Sequence, residues 1–217
     1  MISYLVGLAF TLSFGSLVEI ERHDAHRLDT QTQAEQLAVK LAQAAEARTQ
    51  KTVRYDGRYM RIDYPNGDVP DHIGVCTDLV VRSYRMVGVD LQQAIHEDMK
   101  RFFTAYPSRR IWGLAKPDSN IDHRRVPNME VFFARHGESL PVSRDISRYQ
   151  SGDIVTWRLA GNLPHVGIIS AKRDASGTPL IVHNIGRGPK IENVLFAYPI
   201  VGHYLYRPKL SENTLDS

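Results

Sequence analysis

The sequence predicts an α+β domain in which helices come first and a small antiparallel sheet follows. Apolar residues recur at helical spacing through the first part of the chain, and four short β-rich runs follow one another towards the C-terminus. Clusters of turn-forming residues separate these runs. Helices followed by consecutive strands are typical of α+β domains with an antiparallel sheet.

Four helices are predicted before the strands. The first is amphipathic and is expected to pack on the outside of the domain. The second opens near Cys76, the third follows the capping residue Asp90, and the fourth has a proline in its first turn. Their predicted bounds are 28–52, Cys76 to Gly88, Asp90 to Ala105, and Pro127 to Arg135.

The predicted strands are short and rich in β-branched and aromatic residues. Between the helices, the stretch from Tyr106 to Arg125 reads as an irregular, charged loop, and long loops in compact domains are often functional. We expect 53–210 to form the main domain. The predicted strands cover 152–157, 165–170, 179–184 and 202–207.

Composition limits the class of protein. A chain of 217 residues with 42% hydrophobic content can form one well-packed domain, with or without an appendage. The formal net charge is +3 and the isoelectric point is near 9.0. This mild basic excess suits anionic surfaces but lacks the Lys and Arg clusters of a nucleic-acid binder, so no nucleic-acid partner is expected.

Residues 4–18 form an apolar run that charged residues follow at once. A membrane-spanning helix needs about 20 apolar residues, so this run is closer in length to the core of a signal peptide. We expect 1–27 to be a signal peptide or an uncleaved anchor with a linker, and the protein to be periplasmic or otherwise exported. A buried first helix is the alternative. The tail 211–217 is expected to be disordered.

Cys76 is the only cysteine of the chain, and a loop rich in Pro, Gly, Asn and Asp precedes its predicted helix. Free backbone N–H groups and the positive end of the dipole at a helix N-terminus favour a thiolate. The alternative is a buried cysteine that acts as a small hydrophobic residue. Since one cysteine cannot form an internal disulfide, a working thiol explains it better in an exported protein.

Two histidines, His165 and His183, interrupt neighbouring apolar strands, where antiparallel pairing could bring them side by side. A thiol becomes an effective catalyst when an imidazole accepts its proton and a third polar group orients that imidazole. Either histidine alone would more often be a buried structural residue. Together with Cys76 they predict a catalytic site.

These residues resemble the papain-like, NlpC-type cell-wall peptidases, in which a cysteine opens a helix and strands carrying a histidine and a third polar residue follow. Over roughly Tyr55 to Arg207, the chain is still more similar to an uncharacterised bacterial domain family that is usually placed in that superfamily. The motifs that carry this likeness are Gly-Val-Cys-Thr-Asp from residue 74, Asp-His-Arg-Arg-Val-Pro from residue 122, Pro-His-Val-Gly from residue 164, and His-Asn-Ile-Gly from residue 183.

The resemblance implies a papain-like fold in which Cys76 is the nucleophile. His165 would be the general base and later the general acid, and His183 would orient His165. An upstream tyrosine, matched here to Tyr64, would complete an oxyanion hole with backbone N–H groups. Loss of one such donor costs about 2.7 to 4 kcal/mol of transition-state stabilisation.

The segment between the cysteine and the first histidine is longer than in NlpC-type enzymes and is expected to set specificity. Arg124 and Arg125 carry planar guanidinium groups suited to carboxylates, and His123 precedes them. We predict that these three residues bind substrate. The alternative is a structural salt-bridge knot with Asp122 or Asp118.

Asp78 and Asn184 complete the predicted substrate-binding set, since both belong to the shared motifs. Asp78 would equally serve as an acidic residue in the first turn of a helix. NlpC-type enzymes usually have Asp before the cysteine and Ser-Gly after it, whereas Val75 precedes it here and Thr77 and Asp78 follow.

The expected activity is that of an exported cysteine peptidase or amidase, which cleaves an amide bond of peptidoglycan stem peptides through an acyl-thioester. No cofactor is expected, and a membrane would be contacted only through an uncleaved N-terminal segment. The alternatives are acyl transfer to another acceptor, a non-catalytic wall-binding module, and a zinc site. That zinc site would consist of Cys76, His165, His183 and His72.

Overall fold

The computed structural model describes residues 32–208. The apolar run 4–18 and the tail 211–217 lie outside these residues, so what the sequence predicts for them stays a prediction. Within residues 32–208, no helix combines the length and the apolar character needed to cross a membrane.

Helices α2, α3 and α5 confirm three of the sequence predictions. The Asp90 carboxylate caps α3 by accepting a hydrogen bond from the backbone N–H of Gln92. Helix α4 and a 3₁₀ turn lie in the stretch from Tyr106 to Arg125, which is expected to be irregular. The sequence does not predict these two elements because their residues are mostly charged and show no apolar spacing. The bounds are α1 32–48, α2 Cys76–Met86, α3 Leu91–Phe102, α4 Ser108–Trp112, α5 Val126–His136, and the 3₁₀ turn Asp122–Arg124.

A six-stranded antiparallel sheet follows the helices and confirms the α+β class. Its strand order is β3-β8-β4-β5-β6-β7, so the two strands that the sequence did not reveal lie at its edges. These edge strands have only two or three residues, too few for a period-2 pattern to be recognised. The strands are β3 Glu138–Ser139, β4 Ile154–Arg158, β5 Pro164–Arg173, β6 Pro179–His183, β7 Lys190–Glu192 and β8 Ile200–Leu205.

Two more strands form a separate parallel pair that precedes α2. Strand β1, Arg54–Tyr55, pairs with β2, Ile73–Gly74, and the register places Tyr55 opposite Gly74. This pair is short, but it brings a segment more than twenty residues upstream next to the start of α2.

The main core lies between the helices and one face of the sheet, and α2 packs directly on β5. Helix α1 packs on the outside of the domain, as expected of an amphipathic helix: Leu41 and Ala45 reach the main core, and its other face is exposed. Where its buried stripe carries Ala38, the α1 backbone comes close to Gly152. A smaller cluster that includes Trp157 covers the opposite face of the sheet.

Candidate active site

The thiol of Cys76 lies at the first residue of α2, as the sequence predicts. The extended N-cap residue Val75 donates its backbone N–H to the Asp78 carboxylate at 2.7 Å, which fixes the start of the helix. The backbone N–H of Val166 on β5 lies close enough to the sulfur to favour the thiolate. The thiol therefore lies next to β5 at the residue that follows His165 in sequence.

Burial changes the expected acidity of this thiol. Cys76 is only 4% exposed, and loss of solvation raises the pKa of its thiol to about 11 despite the N–H groups that favour the thiolate. This shift is opposite in direction to the one that the helix N-terminus favours. Desolvation outweighs the helix N-terminus, and Cys76 is a neutral thiol at neutral pH.

His165 and His183 form a direct pair on one face of the sheet. Gly167, two residues beyond His165, pairs with His183 across β5 and β6. His165 Nε2 lies 2.9 Å from His183 Nδ1. Burial, followed by the nearby His183, lowers the pKa of His165 to about 3, so this imidazole is neutral at neutral pH.

Glu192 on β7 extends the pair to a chain of three residues. Its Oε2 lies 2.9 Å from His183 Nε2. A carboxylate only accepts, so His183 carries its proton on Nε2 and presents a bare Nδ1, and His165 then donates from Nε2. This assignment leaves His165 Nδ1 as a proton acceptor. Glu192 was missed by the sequence analysis because its short strand gives no local signal.

Tyr55, and not Tyr64, is the tyrosine beside the thiol. Tyr55 lies beside the Cys76 side chain, and burial, followed by the neighbouring Cys76 thiol, raises the pKa of Tyr55 to about 12. The Tyr64 hydroxyl instead donates to Glu97 on α3 at 2.7 Å. The parallel pairing of β1 with β2 selects Tyr55, and that non-local contact has no signature in the sequence.

Asp78 and Arg124, predicted to bind substrate, form a buried ion pair with each other. Arg124 Nε lies 2.7 Å from Asp78 Oδ1, and Nη2 lies 3.0 Å from Oδ2. The same guanidinium donates to the backbone carbonyls of Asp56 and Arg58, next to Tyr55. Arg124 thus joins the segment after β1 to the first turn of α2 and is not free to bind a carboxylate.

The remaining predicted substrate-binding residues differ in their surroundings. His123 is buried, and desolvation lowers its pKa to about 4. Asn184 is also buried and donates to the carbonyl of Gly74, which ties the end of β6 to the chain just before the thiol. Arg125 stacks on the ring of Trp112 at 4.0 Å and lies 3.8 Å from Asp122, so the salt-bridge alternative applies to it in part.

The structure offers little support for a zinc site. Among residues 32–208, no group of three or more His, Cys, Asp or Glu side chains is arranged to hold a metal ion. Both ring nitrogens of His183 already face partners, His165 and Glu192. A metal at this position would have to displace one of them.

Two solved structures share distant similarity with the chain. NlpC1 from Trichomonas vaginalis aligns with a TM-score of 0.44 and 17% identity over 79% of this chain and 45% of that one. NlpC2 from the same organism aligns with a TM-score of 0.44 and 15% identity over 80% of this chain and 47% of that one. The chain spans less than half the length of either protein.

Sequence comparison identifies a much nearer relative. The chain is 50% identical over 166 residues to the Uncharacterized protein YijF of Escherichia coli, which covers 76% of this chain and 80% of that protein. A family model, Domain of unknown function (DUF1287), matches residues 42–206, a range that contains all of the site residues described above. The chain therefore belongs to the DUF1287 family.

Proposed function

We propose that the protein is an exported cysteine hydrolase that cleaves an amide bond through an acyl-enzyme on Cys76. The observation that carries this proposal is the hydrogen-bonded chain from His165 through His183 to Glu192. Its first member, His165, directly precedes Val166, whose backbone N–H lies close to the thiol. A purely structural cysteine has no need of such a chain. The papain-like resemblance assigns the same roles to Cys76, His165 and His183.

Acylation begins from a neutral thiol and a neutral imidazole. His165 Nδ1 takes the thiol proton as the sulfur attacks the substrate carbonyl, and the resulting imidazolium is stabilised through His183 by the Glu192 carboxylate. The Tyr55 hydroxyl and the backbone N–H of Cys76 stabilise the oxyanion. His165 then gives its proton to the leaving amine, and the carbon–nitrogen bond breaks to leave a thioester.

Deacylation repeats these steps with water. His165 removes a proton from a water molecule, and the resulting hydroxide attacks the thioester carbonyl. Collapse of this second oxyanion releases the carboxylic acid, and the proton held by His165 returns to the sulfur. The site regains its starting state without any cofactor.

The proposed substrate is a stem peptide of peptidoglycan. Support for this choice comes from the resemblance to NlpC-type wall peptidases and from the apolar run 4–18, which fits export to the compartment where the wall is found. The shared motifs also contain buried residues that support the site, such as Asp78 and Arg124, which form an ion pair.

One observation favours a second candidate, a non-catalytic wall-binding module. Cys76 is almost fully buried and has a raised pKa, as an inert structural cysteine would have. A binding module would keep its affinity for the wall when Cys76 is replaced. Its wild-type form would release no product from the wall.

The direct test is mass spectrometry of muropeptides released from purified peptidoglycan by the wild-type protein and by the Cys76→Ala variant. We expect the wild type to release peptide fragments and the variant to release none, with an unchanged circular dichroism spectrum. Binding to the wall without release by either protein would favour the binding module. Equal release by both would overturn the proposal.

A further inference from the structure

An open groove of about 1140 Å³ lies between α4, α5 and the start of β5. Pockets for small molecules usually measure roughly 300 to 1,000 Å³, so this groove has room for an extended ligand. Its walls combine apolar and aromatic side chains with arginines. Its lining includes Trp112, Arg109, Arg110, Glu130, Arg158 and Pro164.

Two connections join the groove to residues that neighbour the site. In the first, Pro164 lines the groove and directly precedes His165. In the second, the Thr77 hydroxyl next to Cys76 donates to the carbonyl of Arg124, and the following residue, Arg125, stacks on the groove residue Trp112. The lining of the groove is thus joined to residues that adjoin both His165 and Cys76.

The free positive charge of the groove lies on α4. Glu130 and Arg158 neutralise each other through two hydrogen bonds of 2.8 and 3.0 Å. Arg109 and Arg110 are exposed, and within residues 32–208 no ion pair engages either of them. Arg124, by contrast, is committed to Asp78.

We infer that this groove binds a carboxylate-bearing peptide segment of the substrate, with Arg109 and Arg110 as its recognition residues. The inference rests on the proposed function in taking the ligand to be the substrate of Cys76. Paired guanidinium groups suit carboxylates because each can donate two parallel hydrogen bonds. The apolar walls suit the peptide backbone and its side chains.

A peptide fits these features better than a nucleic acid does. Only two neighbouring cations are free, and the acidic Glu130 lines the same groove. The whole chain has a formal net charge of only +3. Nucleic-acid sites need a longer stripe of Lys and Arg to neutralise successive phosphates.

The test measures binding without catalysis, in the Cys76→Ala variant of the full chain. The probes are a short oligoglutamate peptide and the uncharged oligoglutamine peptide of equal length. Trp112 gives a local signal because it is partly exposed in the groove, whereas the other tryptophan, Trp157, is buried and donates to the carbonyl of Leu195. We expect oligoglutamate to change the Trp112 emission and to bind more tightly than oligoglutamine.

Adding R109Q and R110Q to the Cys76→Ala background should raise the Kd for oligoglutamate at least about tenfold, since hydrogen bonds to charged groups are lost. The matched control adds R144Q and R148Q, which remove two exposed arginines that do not line the groove. This control should leave the Kd within about twofold, because only long-range attraction is lost.

Equal affinity for the two peptides, or equal effects of the two pairs of substitutions, would overturn the inference. Tighter binding of a single-stranded oligonucleotide, lost with R109Q and R110Q, would also overturn it in favour of a nucleic-acid site. Failure here is distinguishable from failure of the proposed function, because amide cleavage by the wild-type protein is measured separately on the released fragments.

Discussion

Some residues of the site can be predicted from the sequence, and others cannot. Cys76 was predicted because it is unique and opens a helix, and His165 and His183 because each interrupts an apolar strand. Glu192 and Tyr55 were not, since both reach the site through pairing between distant segments. A local sequence pattern predicts the helix or strand in which a residue lies. The register between strands then determines which residues come into contact.

At the residue scale, Glu192→Gln should lower kcat by about tenfold to 100-fold while KM stays nearly unchanged. A neutral amide can still accept from His183 but stabilises the imidazolium of His165 less. The effect is moderate because the Glu192 side chain is 40% exposed and solvent screens its charge. Steady-state kinetics of amide cleavage measures both constants.

The matched control for this prediction is Glu138→Gln, which neutralises an exposed carboxylate on the edge strand β3. It should leave both constants unchanged. A kcat for Glu192→Gln equal to that of the wild type would show that Glu192 plays no part in orienting His183.

At the scale of elements, the site depends on how the β1–β2 pair is held against α2. Arg124 makes this connection, since it pairs with Asp78 in α2 and donates to two carbonyls in the segment after β1. In the sequence, the neighbouring pair Arg124 and Arg125 resembles a carboxylate site and predicts substrate binding. Its true partner lies 46 residues earlier in the chain, where no local pattern indicates it.

Arg124→Gln should therefore reduce the free energy of unfolding by about 3 to 5 kcal/mol, because it leaves the Asp78 carboxylate buried and unpaired. The double variant with Asp78→Asn should cost less than the sum of the two single changes. Denaturant-induced unfolding measures all three values.

Arg148→Gln supplies the comparison for the ion pair, since Arg148 and Asp145 form an exposed pair on the surface. It should change stability by less than about 1 kcal/mol. A similarly small effect for Arg124→Gln would contradict the structural role and reopen the assignment of Arg124 to substrate.

At the scale of the whole molecule, the order of the elements was predictable and their packing was not. Apolar spacing located α2 and α3, a proline at the start and a glycine at the end located α5, and β-rich runs between turn clusters located the four central strands. The same patterns could not show which part of the core the buried stripe of α1 contacts, because amphipathic spacing marks a buried face and not its partner. Nor could they place the groove beside α4, which depends on how three separate elements meet.

The raised pKa of Cys76 also belongs to this scale, because burial by the assembled fold outweighs the local effect of the helix N-terminus. The sequence alone supports the opposite expectation. The proposed mechanism therefore relies on proton transfer to His165 during attack instead of on a thiolate present at rest.

The central claim, an acyl-enzyme on Cys76, is tested most directly by adding hydroxylamine to the cleavage reaction and identifying the products by mass spectrometry. A thioester partitions between water and hydroxylamine, so we predict that hydroxamates replace the free acids as hydroxylamine increases, and that Cys76→Ala forms neither product. Free acid as the only product at every hydroxylamine concentration, released equally by Cys76→Ala, would contradict the account.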